Sequence, residues 1–115
     1  MGSPVVHWEI VSRDGAGLQR FYADLFDWKI DSANPMGYGL VDTGNERGIN
    51  GGIGSSDQHA GVTVYVEVDD LQVHLDRAEQ LGGKAIMPPT EIPGAITLAV
   101  FADPDGNRLG IVKGR

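Results

Sequence analysis

A histidine and a glutamate stand two residues apart in "VVHWEIV" (5–11), where apolar and polar residues alternate. Alternation with period two marks a strand, so His7 and Glu9 share one face while Val6, Trp8 and Ile10 share the other. Along a strand such a pair lies roughly 6.5–7 Å apart at Cα. At that spacing both side chains can touch one small molecule, and Glu9 raises the proton affinity of His7. The chemistry open to the pair is general acid–base catalysis or a polar clamp on a ligand. The plain alternative is a histidine hydrogen-bonded inside the fold.

A second stretch, "GVTVYVEV" (61–68), repeats the alternation, with Thr63, Tyr65 and Glu67 opposite four valines. The same parity on later strands puts Asn50 and Arg108 on the polar face. The candidate ligand-binding set is therefore His7, Glu9, Asn50, Thr63, Tyr65 and Arg108, with His7 and Glu9 as the candidate catalytic pair. Tyr65 stacks on a ligand or simply packs. Arg108 steers an anion or faces solvent on a hairpin. His59, in "GSSDQHAG", is expected to be exposed, His74 to sit at a helix surface, and Trp8 and Trp28 to be core. The glycine-rich "GINGGIG" lacks the helix and lysine of a phosphate loop. No Ser-His-Asp spacing stands out.

The elements that must hold these residues follow one plan twice. Asp14 and Asp70 suit helix N-caps. Leu18, Phe21, Tyr22 and Leu25 follow helical spacing after the first, and Leu71, Leu75, Ala78 and Leu81 after the second, with Gly82-Gly83 as the stop. Beyond each helix come three short extended runs: "WKID", "YGLVDT" and "GINGGIG", then "KAIM", "AITLAVFA" and "RLGIVK". "TGNERG" and "DPDG" read as hairpin turns. Val6 matches Val62, and after the second strand the offset drifts by about two, so Gly52 matches Gly110. The expected fold is α+β: tandem βαβββ units, about 4–55 and 60–115, in one domain spanning 1–115. They are expected to form a curved mixed sheet or half-barrel cup with the helices packed outside.

Composition narrows the function classes. With 115 residues, 41% hydrophobic and 22% charged, one ordinary globular domain is expected. The net charge of −7 argues against a nucleic-acid partner, which wants basic patches. No apolar run approaches the length of a membrane span, and Met-Gly-Ser-Pro lacks a secretion-signal layout, so a cytoplasmic protein is expected. The absence of cysteine excludes disulfides, thiolate zinc sites and cysteine nucleophiles. Seventeen glycines, roughly twice average usage, call for many tight turns or close backbone approaches.

"HWEIVSRDGAGLQRFYADLFDWKI", "VYVEVDDLQVHLDRAEQLGGKAIMPPTEIPG" and "FADPDGNRLGIVK" together resemble the vicinal oxygen chelate superfamily, the group of glyoxalase I, bleomycin-resistance proteins and extradiol dioxygenases. The resemblance covers nearly the whole chain and implies paired βαβββ units around a cup. It also implies four metal-ligand positions, on the first and fourth strands of each unit. Here those positions hold His7, Gly52, Thr63 and Gly110. A divalent metal needs three or more protein ligands, and even with Glu9 added the set is short. No cofactor and no bound divalent metal are expected.

Two functions compete. One is a metal-free small-molecule-binding protein of the bleomycin-resistance kind, holding a metabolite or drug in a polar cup. The other is a glyoxalase-type lyase or isomerase using His7 and Glu9, or an atypical metal site. Whether any reaction is catalysed is left open by the sequence, and so is a degenerate module that serves protein interaction. A homodimer is expected in each case, since an open sheet leaves edges that pairing can cover.

Overall fold

The strand-then-helix plan is realised twice in the computed structural model, which describes residues 2–93 and 96–114. The first half runs β1 (Val5–Ser12), α1 (Gly15–Phe26), β2 (Lys29–Asp31), β3 (Gly39–Asp42) and β4 (Gly51–Ser55). The second runs β5 (Gly61–Val68), α2 (Leu71–Gln80), β6 (Lys84–Glu91), β7 (Thr97–Ala102) and β8 (Arg108–Lys113). The chain is thus α+β with tandem βαβββ order. β1 and β5 begin at Val5 and Gly61, and α1 and α2 at Gly15 and Leu71, a spacing of 56 both times. The "KAIM" strand extends further than the sequence suggested, to Glu91.

The chain divides into two compact units: His7–Thr63, and the residues from Val64 on together with those before His7. In the first, the strand order is β2-β3-β4-β1; in the second it is β5-β8-β7-β6. β1 pairs with β4 in parallel, Glu9 opposite Gly52, and β5 with β8 in parallel, Tyr65 opposite Gly110. The other pairs within each unit are antiparallel. Equivalent strands therefore meet at equivalent residues, and Gly52 and Gly110 are structural counterparts.

Local chemistry fixes the helix ends as expected. Asp14 accepts the Gly17 N–H at 2.9 Å and Asp70 the Val73 N–H at 3.0 Å, each satisfying a donor that the first helical turn leaves over. Helix α2 stops where Gly82 adopts φ +101 and the Gly83 N–H returns to the Ala78 carbonyl at 2.8 Å.

In the second unit the helix and sheet close a core of Val68, Leu71, Leu75, Ala99 and Ile111, with Val66, Ala85 and Phe101 against it. The valine face of β5 is thus the one that meets the helix. Leu81 is 62% exposed, because it is the C-cap beyond the last turn. Val6 and Val62, counted with the inward rows, are exposed as well; the cover reaches only the later residues of each strand.

In the first unit, α1 is rotated from the expected face. Phe21 and Leu25 are each 57% exposed, while Leu18 and Tyr22 are half-buried. Gly15 approaches β4 closely, and an added Cβ there would lie 2.6 Å from the backbone of Gly54. That close approach seats the helix start on β4, with the Gly15 N–H donating to Ser55 Oγ at 2.9 Å. Trp8 and Trp28 are half-buried rather than fully core. Their rings stand 5.1 Å apart, and Trp28 also meets Phe26 at 4.9 Å and Tyr22 at 6.0 Å, distances at which aromatic pairs attract.

The "DPDG" turn closes as a hairpin between β7 and β8. Asp103 accepts from the Asn107 backbone N–H at 2.9 Å and side-chain amide at 2.8 Å, and from Asp105 N–H at 2.9 Å. These bonds favour the charged form and hold the Asp103 carboxyl below its ordinary value, the Asn107 amide most of all. A depressed carboxyl contributes stability above its unfolded value and loses it as pH falls through the folded one. A carboxyl-carbon NMR titration should place Asp103 below 3.8, and Asn107→Ala should move it back up. An unchanged midpoint in the variant would refute the assignment of cause.

Candidate functional site

His7 and Glu9 lie on one face of β1, both half-buried, as the alternation required. They are joined by a residue the sequence reading did not single out, Tyr38, at the end of the loop between β2 and β3. Its hydroxyl donates to Glu9 Oε2 at 3.0 Å and lies 3.1 Å from His7 Nε2.

Tyr38 is held from both sides of its backbone. The Asn34 side chain accepts the Tyr38 N–H at 3.0 Å and donates to the Tyr38 carbonyl at 2.6 Å. The Gln19 amide braces the same loop, donating to the Gly37 carbonyl at 3.1 Å and the Ile53 carbonyl at 2.8 Å.

The seat of the ring is glycine. A Cβ built on Gly52 would fall 1.8 Å from the Tyr38 hydroxyl oxygen and 2.1 Å from its Cζ; one on Gly54 would fall 2.8 Å from Cδ1. No side chain fits at 52 while the tyrosine is there. The two glycines, on the same face of β4, are what lets the ring lie flat on the strand.

Burial pulls the His7 pKa below 6.5, more than the Glu9 charge raises it. A basic group with a depressed folded value binds fewer protons folded than unfolded. Its contribution therefore favours unfolding as pH drops below 6.5 and levels off below the folded value. Titration of the His7 Cε1–H signal should show a midpoint under 6.5, lowered further by Glu9→Gln, which removes the attraction that opposes burial. A higher midpoint in that variant would contradict the sign of the Glu9 effect.

The remaining candidates divide between the units. Asn50 is exposed just before β4, and its amide oxygen accepts from the Thr43 N–H at 3.1 Å, so this oxygen is engaged in the hairpin turn. Thr63 is buried, at 3% exposure. In the second unit Tyr65 is 7% exposed and lies over Gly110, where a Cβ would come within 2.3 Å of its ring. Arg108 opens β8 half-buried, with its Nε out of reach of solvent, rather than waving from a hairpin. His74 caps back onto its own helix, Nδ1 lying 2.8 Å from the Asp70 carbonyl. His59 is half-buried, not exposed: Ser56 Oγ receives the backbone N–H of Gln58 at 3.1 Å and of His59 at 3.4 Å, which curls the link inward.

The four positions that hold metal ligands in the resembling superfamily are His7, Gly52, Thr63 and Gly110 here. Both fourth-strand positions are glycine, and each is overlaid by a tyrosine ring. Among the described residues, no group of three or more His, Asp or Glu side chains is placed to hold a metal ion. The residues present do not fit that metal.

Comparison with known proteins agrees with the fold. Residues 7–112 match the glyoxalase-like domain. The chain is 31% identical to the anthracycline biosynthesis protein DnrV of Streptomyces peucetius over 133 aligned positions, covering 93% of this chain and 47% of that protein. It therefore spans about half the length of that relative. Among solved structures, a glyoxalase/bleomycin resistance protein/dioxygenase superfamily member from Vibrio splendidus 12B01 superposes with a TM-score of 0.66 at 14% identity, over 98% of this chain and 100% of that one. Methylmalonyl-CoA epimerase from Mycobacterium tuberculosis gives 0.66 at 12% identity, over 96% and 87%. Identities this low speak to fold alone. The tandem βαβββ order and a match across residues 7–112 together make this chain a member of the glyoxalase-like domain family, within the vicinal oxygen chelate superfamily.

Proposed function

We propose that the protein binds a small molecule without a metal, at the His7–Tyr38–Glu9 cluster, and that its ligand is a hydroxylated planar aromatic. The observation that carries this reading is the tyrosine hydroxyl lodged where a fourth-strand side chain would stand, bonded to His7 and Glu9 of β1. A site so filled offers hydrogen-bonding groups of three chemistries. The ligand class comes from the relative named for anthracycline biosynthesis. The working form in this reading is a homodimer, since two copies match the length of a relative that one copy half covers.

The test is fluorescence titration with a hydroxyanthraquinone, before and after dialysis against EDTA. Saturable binding indifferent to the chelator is expected, weakened roughly tenfold by His7→Ala through loss of a hydrogen-bonding partner. Binding that vanishes with EDTA, or that ignores His7→Ala, would defeat the proposal. Sedimentation of the same sample reads the dimer.

A second reading, a lyase or isomerase acting by His7/Glu9 acid–base chemistry, is favoured by the unbroken hydrogen-bonded path from His7 through Tyr38 to Glu9. It expects deuterium from the solvent to enter a ketone substrate beside its carbonyl, and no such exchange with His7→Ala.

A further inference from the structure

We infer that Tyr38 is a positioning residue that sets the tautomer of His7, making Nδ1 the basic nitrogen of the site. A tyrosine hydroxyl has one proton to give, and Tyr38 gives it to Glu9 Oε2, 3.0 Å away. A carboxylate only accepts, so that direction is fixed by the partner. The Tyr38 oxygen, 3.1 Å from His7 Nε2, is then left to accept. The hydrogen between them belongs to the imidazole, and His7 is the Nε2–H form. Its lone pair lies on Nδ1. The ring is held in this position, because Asn34 clamps its backbone and the glycines at 52 and 54 seat it.

The consequence, which rests on the cluster being the ligand site, is a one-way order of protons. A proton taken from a ligand lands on Nδ1, the Nε2 proton passes to the Tyr38 oxygen, and the Tyr38 proton passes to Glu9. One proton leaves the ligand and one carboxylic acid forms, with His7 and Tyr38 restored to their starting composition. Tyr38 is the hydrogen-bonded link between the two ends of this path.

Long-range ¹H–¹⁵N correlation of the histidine rings, above pH 7, reads the tautomer directly. The wild-type protein should show His7 protonated at Nε2 by roughly tenfold or more over Nδ1, a preference of the size one hydrogen bond supplies. Tyr38→Phe, which keeps the ring in its seat, should cut that preference several-fold. An Nδ1–H pattern in the wild type, or an unchanged pattern in Tyr38→Phe, would overturn the inference. The outcome is separable from that of the binding reading. Wild type with the Nε2–H pattern but no affinity for hydroxyanthraquinone would remove the ligand class and leave the proton order standing. A bound probe beside an Nδ1–H His7 would do the reverse.

Discussion

Gly52→Ala should lower the thermal midpoint by roughly 5–15 °C, the effect of about 1–3 kcal/mol of overpacking in a domain of this size. The sign is not the one local preference gives. Alanine in place of a glycine of ordinary backbone conformation restricts the unfolded chain and stabilises by about 0.4–1 kcal/mol. Here the new methyl would lie 1.8 Å from the Tyr38 hydroxyl oxygen and 2.3 Å from Cε2, far inside contact distance. The ring has little room to slide along the strand, because Gly54 is its second seat and Asn34 fixes its backbone. It must swing away, and its bonds to His7 and Glu9 go with it.

The cost belongs to the Gly52–Tyr38 pair, so the decisive measurement is a double-mutant cycle by urea unfolding. In a Tyr38→Ala background the obstacle is gone, and Gly52→Ala should be neutral or slightly stabilising. The two changes then depart from additivity by about 1–3 kcal/mol. Additive costs would mean that the glycine serves some purpose unrelated to the tyrosine.

The contrast between what was legible and what was not follows from sequence distance. Period-two alternation put His7 and Glu9 on one face, and the aspartates before each helix announced its start, because these are rules among neighbours. Tyr38 escaped them. Its partners are 29 and 31 residues away, and it stands at the mouth of a loop. A signal was there: two glycines spaced i, i+2 on β4 leave a bare strip that some side chain must cover. The rotation of α1 was hidden for a similar reason. Phe21 and Leu25 keep helical spacing, while contacts distant in the chain, Gly15 against Gly54 and Gln19 to Ile53 of β4, go with the row that turns inward. Helical period identifies the apolar residues of a helix; packing chooses among them.

The second unit reaches the same end by a shorter route, and removing its ring should cost more. Glu9 and Tyr65 hold equivalent strand positions, each opposite a glycine of the paired parallel strand. In the first unit that place carries a carboxylate and the ring arrives from a loop. In the second the strand residue is itself the ring, 7% exposed and lying on Gly110. Tyr65→Ala should therefore destabilise by about 3–5 kcal/mol, in the range of large aromatic truncations, since a glycine beneath has no side chain to relax into the void. Tyr38→Ala, at a half-buried ring, should cost distinctly less. Denaturant unfolding with both variants decides it. A cost below about 1 kcal/mol at Tyr65 would mean the ring is not what fills the space over Gly110. Partial recovery in Tyr65→Ala/Gly110→Ala would show the converse: the position is glycine because a tyrosine already occupies the room its side chain would need.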